Sequence, residues 1–144
     1  LLMGDDLYQA EIVARAKAGA ADTRLEPHDA RATVDNPLCG DRVVLDLRMD
    51  GPRIAEAGQR TRGCALCQAS AETLRRCLPG LDRATAAGGR AALRAYLAGG
   101  AELPGPWRDW EAFAPVRAHP SRHGCVMLAL DALSEAMAAM EQGG

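Results

Sequence analysis

Residues 35–50 read DNPLCGDRVVLDLRMD, and the order within that stretch decides the fold. From Arg42 onward the chain alternates, with Val43, Leu45, Leu47 and Met49 on one side and Arg42, Asp46 and Arg48 on the other. Successive side chains of a strand point to opposite faces, so a period of two predicts a half-buried strand. Asp50-Gly51-Pro52 is a turn, and RIAEAGQR at 53–60 runs back as a weaker partner in an antiparallel hairpin. At the mouth of the first strand stand Cys39, Gly40 and Asp41. A buried core has no use for that carboxylate, and a plain turn has no need of that thiol. A cation would use both.

Outward from the hairpin the pattern turns helical. Asp5 and Asp6 can cap a first helix with Tyr8, Ile12 and Ala16 on one face. The stretch from Ala20 to Asp35 is polar and irregular, with a short strand expected from Arg31 to Val34. In CALCQASAETLRRCL at 64–78, apolar and small residues recur at threes and fours, and Pro79-Gly80 ends the helix. A short helix follows around Ala91 to Leu97. GGAELPGPWRDW at 99–110 reads as a Gly- and Pro-rich loop, pinned to the body by Trp107, Trp110 and Phe113. The last helix is the clearest: Cys125, Leu128, Ala129, Ala132, Leu133, Ala136, Met137 and Met140 make one apolar stripe.

Length and composition narrow the function classes. A chain of 144 residues with 48% hydrophobic content suits one domain with a real core, expected to span residues 1–144. The net charge of −2 argues against nucleic acid, whose binders are normally basic. Aromatic residues make up 3%, too few for base-stacking platforms. No apolar run reaches the ~18 residues a membrane span needs, and the acidic start LLMGDDLYQAEIVARAK has no secretory h-region. A soluble, cytoplasmic protein is expected.

Five cysteines (Cys39, Cys64, Cys67, Cys77 and Cys125) are an odd number, and in a reducing compartment they serve as metal ligands, reactive groups or small core residues. Cys64 and Cys125 each open a helix, where free N–H groups and the helix dipole favour thiolate. With Cys39 and Asp41 they could form a four-ligand site of three sulfurs and one oxygen, suited to zinc or an iron–sulfur cluster. The gaps of 25 and 61 residues are unlike a compact zinc knuckle, and burial as a small hydrophobe is the plain alternative for each thiol. Cys64 and Cys67 would share a helix face, which brings Cys67 near the site, although packing is the simpler expectation for it. Cys77 is expected in the core. His28 and His119 read as solvent-facing. His123 lies two residues before Cys125, while Arg62 and Arg122 could place guanidinium groups near the thiolates.

NPLCGD at 36–41, RGCALCQAS at 62–70 and PVRAHPSRHGCVMLALDAL at 115–133 together resemble the U-type iron–sulfur cluster assembly scaffold family, the IscU, SufU and NifU N-terminal type. Cys39, Asp41, Cys64 and Cys125 match the family's ligand positions, and Ala69-Ser70 match its Ala-Ser. The resemblance covers roughly residues 7 to 140. The gap from Cys64 to Cys125 is similar to the SufU subtype, as is VRAHPSRHGC in place of a Leu-Pro-Pro-Val-Lys motif. That implies no dedicated Hsc-type chaperone. The chain departs from the pattern at Gln59, where a Phe is usual, at Cys67, where Ser is frequent, and at Gly124, where a His or a basic residue stands.

The fold this resemblance implies is α+β: a small three-stranded antiparallel sheet packed against several helices, with a long amphipathic C-terminal helix. The implied function is a scaffold that builds a labile [2Fe-2S] cluster on Cys39, Asp41, Cys64 and Cys125 and passes it to apo-proteins. A pyridoxal-phosphate cysteine desulfurase would supply the sulfur. The scaffold would carry rather than catalyse. The alternative is a zinc-bound persulfide acceptor, with Cys39 on its loop as the receiving thiol. A third reading is a regulatory relative with a vestigial site.

Overall fold

The structure is a computed structural model and describes residues 9–38 and 40–143. Three strands, β1 (Ala30–Asn36), β2 (Asp41–Asp50) and β3 (Arg53–Arg62), form an antiparallel sheet in the order β1-β2-β3. The helices are α1 (Ala10–Gly19), α2 (Ala65–Cys77), α3 (Arg83–Ala87), α4 (Gly89–Leu97) and α5 (His123–Gly143). Ile12 and Ala16 of α1 are buried as expected, while Asp5, Asp6 and Tyr8 lie outside the described residues. No helix among the described residues is long and apolar enough to cross a membrane.

The alternation in β2 becomes the inner face of the sheet. Ala30 pairs with Leu47, Ala32 with Leu45 and Val34 with Val43, and across the other edge Val43 faces Thr61, Leu45 faces Gln59 and Leu47 faces Ala57. A bulge between Arg48 and Met49 lets Arg48 pair with Glu56 but Met49 with Ile54, leaving Ala55 over. The extra residue shifts the phase by one, so Ile54 and Ala57 are both buried although three positions apart. That is why RIAEAGQR reads weakly in sequence. Against this face pack α2 and α5, with α1 laid on α2.

The outer face differs from its sequence reading at one residue. Asp46 points away from the helices, as its parity requires, yet it is fully buried. The irregular segment 20–29 covers it: Leu25 N–H donates to Oδ2 at 2.8 Å, and Arg31 donates to both oxygens at 2.6 and 2.9 Å. Burial pushes the Asp46 carboxyl up, but Arg31 and the Leu25 N–H together hold it below the usual carboxylate range. The same segment satisfies the free edge of β3, where Thr23 N–H donates to the Gln59 carbonyl at 2.9 Å.

The expected loop around Trp107 is ordered as a 3-10 helix from Gly105 to Ala118. Trp107, Trp110, Phe113 and Val116 recur every third residue, and all four are buried. A 3-10 helix has three residues per turn, so this spacing puts all four on one face. Arg15 of α1 ties the segment down. Its guanidinium is buried and donates to Thr73 Oγ1 at 3.0 Å, to the Asp109 carbonyl at 3.0 Å and to Asp109 Oδ1 at 2.8 Å.

Candidate metal centre

Antiparallel register builds the site. Arg42 at the start of β2 faces Arg62 at the end of β3, so Asp41 sits beside Gly63 and Cys64, which carry the chain into α2. Asp41 shares the parity of Val43 and therefore turns toward the helices, where it is 5% exposed. Cys64 is the N-cap of α2, and its sulfur accepts the N–H of Cys67 at 3.4 Å. Cys125 enters from the first turn of α5. That turn is held against α2 by Ser70, whose hydroxyl donates to the Val126 carbonyl at 2.6 Å.

Asp41, Cys64, Cys67 and Cys125 thus bring one donor atom each to within 4.8 Å of every other. The sulfurs of Cys64 and Cys67 are 3.5 Å apart, and Cys67 Sγ lies 3.2 Å from Asp41 Oδ2. The other carboxylate oxygen accepts the N–H of Cys64 at 3.3 Å. A side chain at position 63 would displace the carboxylate: a Cβ there would stand 2.5 Å from Asp41 Oδ1. Gly40, just before Asp41, has φ +74°, a conformation other residues adopt at a cost.

The electrostatics of the two neighbouring thiols diverge. Hydrogen bonding from the Cys67 thiol, helped by its N–H and the Cys125 thiol, holds Cys64 well below the ordinary thiol range despite burial and the nearby Asp41 carboxylate. Cys67 is pushed up by the Cys64 thiolate, by burial and by Asp41. The Cys64 and Cys67 thiols and the Asp41 carboxyl crowd one largely buried pocket, with no lysine or arginine paired to Asp41 among the described residues. The donor set fits a cation: a tetrahedral zinc with sulfurs at about 2.3 Å has edges of roughly 3.8 Å, close to the 3.5 Å between the Cys64 and Cys67 sulfurs.

Of the residues expected in the site, Asp41, Cys64 and Cys125 come together. Cys39 lies outside the described residues. Cys67, expected to pack as a small core residue, is instead at the centre of the group, and its C-x-x-C spacing from Cys64 was the available signal. Cys77 is half-buried away from this group; its sulfur accepts the Trp110 Nε1–H at 3.5 Å, and burial pushes the thiol up to about 11. His123 spends its ring nitrogen on the Val116 carbonyl at 3.0 Å, and Arg62 and Arg122 are exposed. Gln59 is buried and bonded, its amide donating to the Gly19 carbonyl at 3.1 Å and its Oε1 accepting the Thr61 hydroxyl at 2.6 Å.

The family model of the NifU-like N terminal domain matches residues 7–104. The chain belongs to this family. Over 113 residues, 77% of this chain and 76% of its relative, it is 31% identical to the zinc-dependent sulfurtransferase SufU of Bacillus subtilis (strain 168). The crystal structure of an N-terminal, nitrogen-fixing NifU-like protein from Brucella abortus is similar with a TM-score of 0.89 at 29% identity, covering 99% of both chains. A candidate iron–sulfur cluster assembly scaffold for the SUF system from Fervidobacterium islandicum AW-1 has a TM-score of 0.84, covering 92% of this chain and 98% of that one. At 23% identity it bears on the fold alone. Within the NifU-like family match lie Asp41, Cys64 and Cys67, while Cys125 comes from the helix beyond it.

Proposed function

We propose that this chain, as one NifU-like domain over residues 1–144, serves iron–sulfur cluster assembly as a carrier that receives sulfur at a metal-holding Cys/Asp centre. The observation that carries the reading is the convergence of Asp41, Cys64, Cys67 and Cys125 donor atoms within 4.8 Å. A pyridoxal-phosphate cysteine desulfurase is the sulfur source, and apo iron–sulfur proteins are the destination. A reducing cytoplasm suits such thiols.

Two occupants are compatible with the centre. In the first, iron and sulfide assemble as cargo into a labile [2Fe-2S] cluster, with Cys39 and Asp41 joining Cys64 and Cys125. A carboxylate ligand suits a cluster that must leave. In the second, zinc is resident and the protein accepts a persulfide. The small spread of the donors favours a single ion, and the zinc-dependent name of the Bacillus relative supports the same reading. A bound zinc keeps its cysteine ligands deprotonated.

Sulfur transfer then needs no added oxidant. A thiolate of this chain attacks the outer sulfur of the desulfurase persulfide. A new S–S bond forms here as the old one breaks, and the desulfurase cysteine leaves as thiolate. Cys39 is the proposed acceptor, on the sequence expectation that a thiol between Pro37 and Gly40 belongs to a loop and not to a helix.

Metal analysis of protein purified with and without air tests the reading, followed by peptide mass mapping after incubation with a cysteine desulfurase and cysteine. Tight zinc with a persulfide on Cys39 is the expected result. Labile iron and sulfide would favour the cluster reading instead. A protein that holds neither metal and gains no persulfide would overturn both.

A further inference from the structure

We infer that Cys64 and Cys67 are a reversible dithiol–disulfide pair, closed by a peroxide, and that closing it withdraws Cys64 from the metal centre. The metal release rests on the metal-centre reading above, while the pair stands on the geometry at the start of α2.

The two sulfurs are already neighbours. They lie 3.5 Å apart, and a disulfide bond of about 2.05 Å needs them to approach by roughly 1.5 Å. Cys64 is the N-cap of α2, with extended backbone (φ −71°, ψ 168°), so its side chain can turn without unwinding the helix. Cys67 follows in the first turn. A helix that opens on C-x-x-C is an arrangement that redox-active dithiols use. Cys125 also lies within 4.8 Å of both. It belongs to α5, which Ser70 fastens to α2, so bonding it to Cys64 would join two packed helices. The Cys64–Cys67 bond closes within a single turn.

Burial assigns the roles. Cys64 is half-buried and within reach of a small oxidant, whereas Cys67 is 1% exposed and meets only its neighbours. The Cys64 thiolate attacks one oxygen of the peroxide, whose O–O bond breaks to leave a sulfenic acid on Cys64 and hydroxide. The Cys67 sulfur then attacks the Cys64 sulfur. An S–S bond forms as the S–O bond breaks, and the Cys67 proton leaves with that oxygen as water. The two cysteines are oxidised and the peroxide is reduced. A dithiol reductant reverses the step by thiol–disulfide exchange. With its sulfur bonded to Cys67, Cys64 no longer donates as a thiolate, and the ligand set of Cys39, Asp41, Cys64 and Cys125 loses a member. Without Cys67, the sulfenic acid has no thiol in its own turn and goes on to sulfinic acid, which is irreversible. In a reducing compartment such a disulfide is transient and reports oxidation.

Treating the full chain with hydrogen peroxide, with and without bound zinc, decides this, with disulfides located by peptide mass mapping before reduction and zinc release followed by a chromogenic chelator. Wild type should lose about 2 Da in a link between Cys64 and Cys67 and release its zinc. Dithiothreitol should restore both thiols and zinc binding. Cys67→Ser should instead gain about 32 Da on Cys64, the sulfinic acid, and should not regain zinc on reduction. A wild-type link from Cys64 to Cys39 or to Cys125, or Cys64 and Cys67 left unlinked while other thiols oxidise, would overturn the inference. Wild type that binds no zinc before treatment would remove the metal-centre reading, and the position of the link would still decide the pair. Should Cys67→Ser fail to fold, the wild-type map decides alone.

Discussion

Gly63 stands so close to Asp41 that a Cβ on the glycine would lie 2.5 Å from Oδ1 and 3.0 Å from the aspartate's own Cβ. The carboxylate is therefore set in place by the backbone of the turn between β3 and α2. Its two oxygens are then divided between the Cys64 N–H and the Cys67 sulfur.

Gly63→Ala should keep the fold and damage the site. The added methyl must push the carboxylate out of the group, at an overpacking cost of about 1–3 kcal/mol. Zinc affinity should fall at least ~10-fold, because an aspartate held out of line is a weaker ligand. Competition with a chelator measures this, and an unchanged affinity would show that Asp41 does not bind metal.

Asp41→Ala should fold, since the partners it loses are one N–H and one thiol. If the chain carries a [2Fe-2S] cluster, this variant should release it more slowly, because the mixed sulfur and oxygen set loses its most exchangeable ligand. Transfer to an apo-ferredoxin gives the rate. Transfer at or above the wild-type rate contradicts the prediction.

Arg31→Met should destabilise the fold, because it strands the buried Asp46 carboxylate with only the Leu25 N–H. Asp46→Asn should cost less, since an amide is cheaper to bury. The folded pKa of Asp46 lies below its unfolded value of about 3.9. Its contribution is therefore complete at neutral pH and is lost as pH falls through the folded value. Urea midpoints from pH 7 down to pH 2 should fall less steeply for Asp46→Asn than for wild type.

Arg15→Met should destabilise by about 1.5–3 kcal/mol, the range for hydrogen bonds to charged groups. The change removes the ties from α1 to Thr73 of α2 and to Asp109 of the 3-10 segment. Hydrogen exchange should rise first in Gly105–Ala118, whose long 3-10 run depends on being held. Uniform exchange across the chain would show that Arg15 supports the fold generally and not this segment.

Whatever depends on local periodicity can be read from the residues alone. β2 is legible because alternating residues of a strand face opposite ways, and α5 because its apolar stripe recurs at helical spacing. The positions of Cys64 and Cys125 at helix starts follow from the same patterns, and so does Asp41 at the mouth of a strand. Tertiary structure decided what depends on segments far apart in the chain. Asp46 reads as solvated in β2, and it is buried because residues 20–29 fold over that face and Arg31 supplies the counter-charge. The bulge at Met49 hides the second strand's pattern until its register is known. Cys67 reads in sequence both as a core helix residue and as the partner of Cys64 in a C-x-x-C pair. It becomes part of the centre only because antiparallel pairing sets Asp41 beside the end of β3, and because Ser70 fastens α5 to α2 with Cys125 at the junction. A side chain's chemistry is written in its residue type, but its partners are set by which distant elements pack against it.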